Sequence, residues 1–210
     1  MELDVFSVRE AGYVTNLAYA AVNRMIDSRR VPRGLLAGGR RGRMLTIAGI
    51  VFVAIEKKAE DGFTAAMREK LRERLQKDLQ ALEPSGAAGR NEISVGLGGL
   101  RGVVELDTIW NRIAERLQRI KRMHELITEA DDVQAGAPTF AGTRILVRPI
   151  ATALKEGEAP EALLSAYPRL TGAMLEVAEL YDQMKPARGR PKDITRGLRP
   201  KSVRQVSRPA

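Results

Sequence analysis

The stretch Pro138-Thr139-Phe140-Ala141-Gly142-Thr143-Arg144-Ile145-Leu146-Val147-Arg148-Pro149, with its continuation to Met184, is the most informative part of this chain. Thr143 to Val147 is short, β-branched and apolar, which predicts a strand. Arg148 precedes a proline and is pushed out of the helical region. Pro149 suits a first helical position, and Gly157 suits the residue just past a helix end. Pro160 opens a second helix, which stops near Tyr167-Pro168. Thr171 can cap a third, with Met174, Ala178 and Tyr181 on one face. Three helices joined by tight turns form a small helix-turn-helix-like unit.

A similar organisation is predicted at the other end. Ser7 can cap a helix that begins Val8-Arg9-Glu10-Ala11, and Gly12 through Asn16 reads as the turn. Asn16 is a cap for a helix from Leu17 to Ser28. Ala18, Val22, Met25 and Ile26 share one face of that helix, while Ala20, Asn23 and Arg24 lie away from it. Residues 34–43, rich in glycine and arginine, suit a hairpin wing with arginines aimed at phosphates. Thr46 caps an apolar helix to about Lys58, with the composition of core. A charged helix from Thr64 to Leu82 carries Leu71, Leu75, Leu79 and Leu82 down one face, a stripe for a neighbouring helix or a second subunit. Glu83 to Gly89 breaks it and reads as a linker. Glu92–Leu97 and Arg101–Leu106 are short strand-like runs. Asp107 can cap a helix to about Thr128, with Ile109, Ile113, Leu117 and Ile120 as its apolar stripe.

Two sets of residues carry family resemblances. Gly142-Thr143-Arg144-Ile145, followed by Tyr167-Pro168-x-Leu170-Thr171, resembles a domain of VapB-like type II antitoxins. The resemblance covers about a quarter of the chain. Family members often have proline after the isoleucine; Leu146 stands there in this sequence. The resemblance implies a PIN-like ribonuclease toxin as partner. The run Phe6-Ser7-Val8-Arg9-Glu10-Ala11, with Val22-Asn23-Arg24-Met25-Ile26, is similar to the opening of MerR-like DNA-binding domains, which implies operator DNA as a second partner.

Charge is distributed unevenly. The 210 residues carry a formal net charge of +9. Residues 1–45 have eight Lys/Arg and four Asp/Glu, residues 46–184 have 18 and 21, and residues 185–210 have nine and one. A slightly acidic body between two basic ends points to two anionic partners, or to one partner gripped twice. There is no cysteine, so disulfides and cysteine-based metal sites are excluded. Glu2 and Asp4 have the wrong sign for a secretory leader. The longest apolar run, Thr46 to Ile55, is too short to span a bilayer. A cytoplasmic protein without a membrane segment is expected.

Catalytic signals are poor. His124 is the only histidine, on a helix of mixed charge, and reads as a surface residue. Val95-Gly96-Leu97-Gly98-Gly99-Leu100-Arg101-Gly102 has the look of a phosphate loop. Strand-like Val103-Val104 follows it, though, where a dinucleotide site needs a helix N-terminus. A glycine-rich hairpin fits better. Asp131-Asp132 near Glu129 reads as a polar loop with capping duty. No enzyme, metal or cofactor is predicted.

DNA recognition has more support. Asn23 and Arg24 are types that reach base edges, and Arg29, Arg30, Arg33, Arg40, Arg41 and Arg43 can meet phosphates. The helix after Thr171 carries Glu176, Glu179 and Asp182, which would repel a phosphate backbone, so DNA is expected at the N-terminal unit. The 26 residues from Lys185 could reach roughly 90 Å at ~3.5 Å each. By composition they should be disordered alone. PIN-like toxins hold a divalent cation in a carboxylate cluster. An arginine fork entering that cluster would pair with the carboxylates and displace the metal. Arg188, Arg190, Arg196, Arg199 and Arg204 are the candidates.

The expected architecture is mainly α. It comprises a MerR-like winged helix-turn-helix-like domain with following helices (1–83), a linker, β-hairpin and helix (84–130), an antitoxin-type three-helix unit (131–184) and a basic tail (185–210). The expected function is antitoxin of a type II toxin–antitoxin pair, repressing its own operon as a homodimer or as a hetero-oligomer with its toxin. The alternative is a free-standing MerR-like transcriptional regulator.

Overall fold

The computed structural model describes residues 5–39, 42–78, 82, 92–129 and 137–185. Eight α-helices and three small sheets lie within them, so the chain is mainly α. Strand β1 (Val5–Ser7) leads into helix α1 (Val8–Thr15), and α2 (Tyr19–Asp27) follows after a short turn. A 3-10 turn at Arg33–Leu35 precedes β2 (Leu36–Gly39) and β3 (Gly42–Thr46). These strands form an antiparallel sheet in the order β1-β3-β2, with Leu45 opposite both Phe6 and Leu36. The hairpin read at 34–43 is therefore present.

Helix α3 (Ile47–Glu60) is apolar on nearly every side and nine of its residues are buried. A helix of that kind must be surrounded, and α1, α4 (Ala65–Lys77) and α5 (Leu106–Leu126) pack on it. Thr46 and Thr64 cap α3 and α4, accepting bonds from the Gly49 and Met67 amides at 3.1 and 3.3 Å. Leu71 and Leu75 are buried as the stripe requires, but α4 ends at Lys77, short of the expected Leu82, which is buried outside it; Leu79 lies outside the described residues. So do 83–91, which include the expected linker. Strands β4 (Glu92–Leu97) and β5 (Leu100–Glu105) form a hairpin about Gly98-Gly99, both at positive φ. Two such residues make the type I′ turn that matches strand twist, and no helix begins there. Helix α5 starts ahead of its expected cap: Glu105 is the N-cap and Asp107 sits in the first turn. Its face of Ile113, Leu117, Ile120 and Met123 is buried against α1, α3 and α8 (Gly172–Met184).

In the C-terminal segment α6 (Val147–Lys155), α7 (Pro160–Ala166) and α8 occur in the expected order. Gly157, at φ +93, donates to the Leu154 carbonyl and Glu158 donates to that of Ala153, a Schellman end. Pro160 opens α7, and Thr171 caps α8 through the Met174 amide at 3.3 Å. The strand read at Thr143–Val147 is absent. Thr143 uses its hydroxyl locally instead, donating to the Phe140 carbonyl at 2.9 Å and accepting from the Ile145 amide at 3.1 Å. With Gly142 at φ +70, this closes a turn that folds Leu146 back on Thr139. The strand lies earlier: β7 (Thr139–Phe140) pairs with β6 (Ile127–Thr128). Helix α6 then begins at Val147, so Pro149 is its third residue rather than its first. That place is tolerated because first-turn amides have no helical acceptor.

The N-terminal unit needs a similar correction. Gly12 is inside α1 and not in a turn. Asn16, at φ 58, ends α1 instead of capping α2, whose N-cap is Ala18. Among the described residues no helix is long and apolar enough to cross a membrane.

Candidate nucleic-acid interface

Helix α2 buries Val22, Met25 and Ile26, so its opposite side is presented to solvent. Arg24 is exposed on that side, Asn23 is half-buried and Ala18 is exposed rather than part of the apolar face. The helix ends in the turn of a Schellman motif. Arg29 donates to the Ile26 carbonyl and Arg30 to that of Met25, both at 3.0 Å. Arg29 occupies the left-handed position at φ 55, where glycine is favoured. Arg29 and Arg30 are both exposed at this helix end.

The hairpin brings a further cation to the same end. Arg43 on β3 pairs with Asp27, the last residue of α2. Arg30 pairs with Glu60 of α3 at 3.6 Å. Both pairs are exposed, where such interactions contribute only about 0–1 kcal/mol, so an incoming phosphate can compete for either arginine. Arg24 and Arg30 line one cleft of about 260 Å³ with Lys57 and Glu60. Arg29 and Arg33 line another of about 330 Å³ with Asp27. Five of the eight arginine and asparagine candidates, Arg24, Arg29, Arg30, Arg33 and Arg43, thus surround the C-terminal end of α2. The partial negative charge of that end favours cations. Arg40 and Arg41 lie outside the described residues.

Two arginine–tyrosine stacks beside this surface are not singled out by sequence periodicity. Arg9 lies over the Tyr19 ring, 4.7 Å from its centre, and Arg116 over Tyr13 at 5.5 Å. Arg116 also donates to the Tyr13 carbonyl at 2.6 Å. They flank a cleft of about 500 Å³. The detectable signal is that two of only four tyrosines stand close together in the chain, not far from Arg9.

A family described as "Protein of unknown function (DUF433)" matches residues 127–181. That span runs from β6 to Tyr181 near the end of α8. The "Uncharacterized protein y4eO" of Sinorhizobium fredii is 25% identical over 211 residues, covering 98% of this chain and 94% of that protein. The crystal structure of Rv2018 from Mycobacterium tuberculosis is 15% identical and covers 83% of this chain and 96% of that one, with a TM-score of 0.36.

Among its described residues the matched segment carries no comparable cation cluster. On α8, Glu176 and Glu179 are exposed, and Asp182 is 3.5 Å from Arg148. The end of the helix is held firmly. Glu129 accepts from the Tyr181 hydroxyl and from the Lys185 ammonium, both at 2.5 Å, and Arg148 donates to the Lys185 carbonyl at 2.8 Å. Burial pushes the Tyr181 phenol up, and the Glu129 carboxylate adds to that, so Tyr181 stays a neutral donor. The point from which residues 186–210 depart is therefore anchored. Arg188, Arg190, Arg196, Arg199 and Arg204 lie outside the described residues, as does Asp131-Asp132. His124 is exposed but pairs with buried Glu10, Nε2 to Oε1 at 2.7 Å. Among the described residues no group of three His, Cys, Asp or Glu side chains is placed to hold a metal.

Proposed function

We infer that this chain is the antitoxin of a type II toxin–antitoxin pair, which binds operator DNA through its N-terminal unit and a PIN-like ribonuclease toxin through its C-terminal part. The observation that carries the DNA half is the gathering of Arg24, Arg29, Arg30, Arg33 and Arg43 around one end of α2, with the β2–β3 hairpin alongside; in this reading the hairpin serves as a wing. Phosphate contacts there would fix the register of the protein on the duplex, and Asn23 and Arg24 would read base edges. The toxin half is supported by the antitoxin resemblance and by the charge of residues 185–210, nine Lys/Arg against one Asp. Arginine forks suit a carboxylate cluster that holds a metal.

The alternative reading, a free-standing regulator, shares the DNA surface and assigns the basic tail to DNA. One experiment separates them. Truncate the chain after Lys185, then measure operator affinity against salt and inhibition of a PIN-like nuclease. The antitoxin reading expects an unchanged salt slope and abolished inhibition. The regulator reading expects the log–log slope to flatten by ~0.9 for each phosphate that the tail no longer neutralises. A flattened slope with inhibition intact would sink the antitoxin role.

A further inference from the structure

The β4–β5 hairpin has two edges of different character. Along β4 the Ser94 carbonyl accepts from Arg74 at 2.6 Å and the Gly96 carbonyl from Lys70 at 3.3 Å. Helix α4 thus covers that edge. These bonds also show which groups face outward. Ser94 and Gly96 point away from β5, and they stand opposite Val103 and Arg101. By the alternation of an antiparallel ladder, Arg101, Val103 and Glu105 then turn their own N–H and C=O groups away from β4. The Glu105 carbonyl, at the N-cap of α5, is taken by the first bond of that helix; among the described residues the other outward groups make no backbone hydrogen bond. The three residues are exposed, Val103 at 41%. An open edge of this kind is a template for another strand.

The sequence along the edge specifies which strand fits. In Arg101-Gly102-Val103-Val104-Glu105 the charges stand symmetrically about Val103. An antiparallel pairing with a copy of itself, with the twofold axis at Val103, sets Arg101 against the partner's Glu105 twice. It also joins the Val103 N–H and C=O to those of the partner's Val103, and the Glu105 N–H to the carbonyl of the partner's Arg101. An axis at Arg101 or Glu105 would oppose like charges, and one at Gly102 or Val104 would leave both charges without an opposite in the strand. Directly opposite charges on one face of a sheet stabilise pairing and like charges oppose it. We propose that β5 pairs with β5 of a second copy of this chain, joining two hairpins into one four-stranded sheet. A twofold, self-complementary patch is the commonest way for identical chains to associate. The pairing does not depend on what the N- or C-terminal surfaces bind.

Sedimentation equilibrium on the full chain tests it. The wild type should be a reversible dimer. Val103→Pro removes a donor from the open edge and none from the β4–β5 ladder, and proline is tolerated on edges. It should raise the dimer dissociation constant by roughly tenfold or more, because the two bonds across the axis can no longer form. Arg101→Glu should also weaken the dimer, and Arg101→Glu combined with Glu105→Arg should restore it while circular dichroism stays unchanged throughout. The charge pair keeps the test decisive if the proline variant fails to fold. A monomeric wild type overturns the proposal. So does a dimer whose affinity ignores the charge reversal and its compensation.

Discussion

Arg29 occupies a backbone position that a stability-driven sequence would give to glycine. A left-handed conformation costs a side chain-bearing residue roughly 1–2 kcal/mol, and a Schellman turn favours glycine at that place. Arg29→Gly should therefore stabilise the chain by about 1 kcal/mol, read as a higher denaturant midpoint. On the DNA reading it should also weaken duplex binding at every sequence tested and flatten the salt slope by ~0.9. Stabilisation with DNA binding intact would remove Arg29 from the interface. Glycine also misled at this scale. Gly12 carries an ordinary turn signal in the sequence. In the structure it is helical, and glycine is required there because a Cβ would sit 2.8 Å from the Leu17 carbonyl oxygen as the chain turns back into α2. Close approach and chain reversal demand the same residue, and only the packing tells them apart.

At the scale of elements, α4 is held on α3 by an ion pair that the charge pattern hid. Glu56 is 1% exposed, and Arg72 Nε reaches its Oε2 at 2.9 Å. Arg72 also pairs with Glu69 on its own helix. Burial pushes the Glu56 carboxyl up, and Arg72 pulls it part of the way back. Removing the arginine leaves a buried charge without compensation. Arg72→Ala should cost ~3–5 kcal/mol near neutral pH. The deficit should shrink as the solution is acidified and Glu56 takes up a proton. Glu56→Leu in the same chain should recover most of the deficit. Chemical denaturation of the two variants checks this, and equal stability of both would rule the clamp out. The i, i+3 and i, i+4 alternation of charges along α4 reads as a solvated face. Nothing in a one-helix pattern shows which arginine meets a carboxylate from another helix.

At the scale of the whole molecule, Glu10 joins distant parts of the chain. Its Oε2 accepts from the Ser7 amide at 2.7 Å in a capping box, and its Oε1 meets His124 of α5. Burial alone would push its carboxyl up, but the bonds from His124 and Ser7 outweigh burial and hold it below its ordinary value of 4.5. A carboxylate lowered on folding contributes stability that is fully present above the unfolded value. That stability disappears as the pH falls through the lower folded value. Glu10→Gln should therefore cost on the order of 1 kcal/mol near neutral pH and make the loss of stability below about pH 4.5 shallower. An unchanged acid limb would show that Glu10 does not couple α1 to α5. The local chemistry of caps and punctuation was enough to place Ser7, Thr46, Thr64, Pro160 and Thr171 at helix starts and Gly157 past a helix end, because each acts within four residues of itself. The apolar stripes of α5 and α8 were likewise legible, since periodicity reports burial directly, and the apolar composition of α3 marked it as core. The sequence could not place the strand of the C-terminal segment, where a Thr143 hydroxyl competes with a β ladder. Nor could it pair His124 with Glu10 or bring Arg43 of β3 onto Asp27 at the end of α2. Those arrangements depend on interactions between residues far apart in the chain, and only tertiary packing decides them.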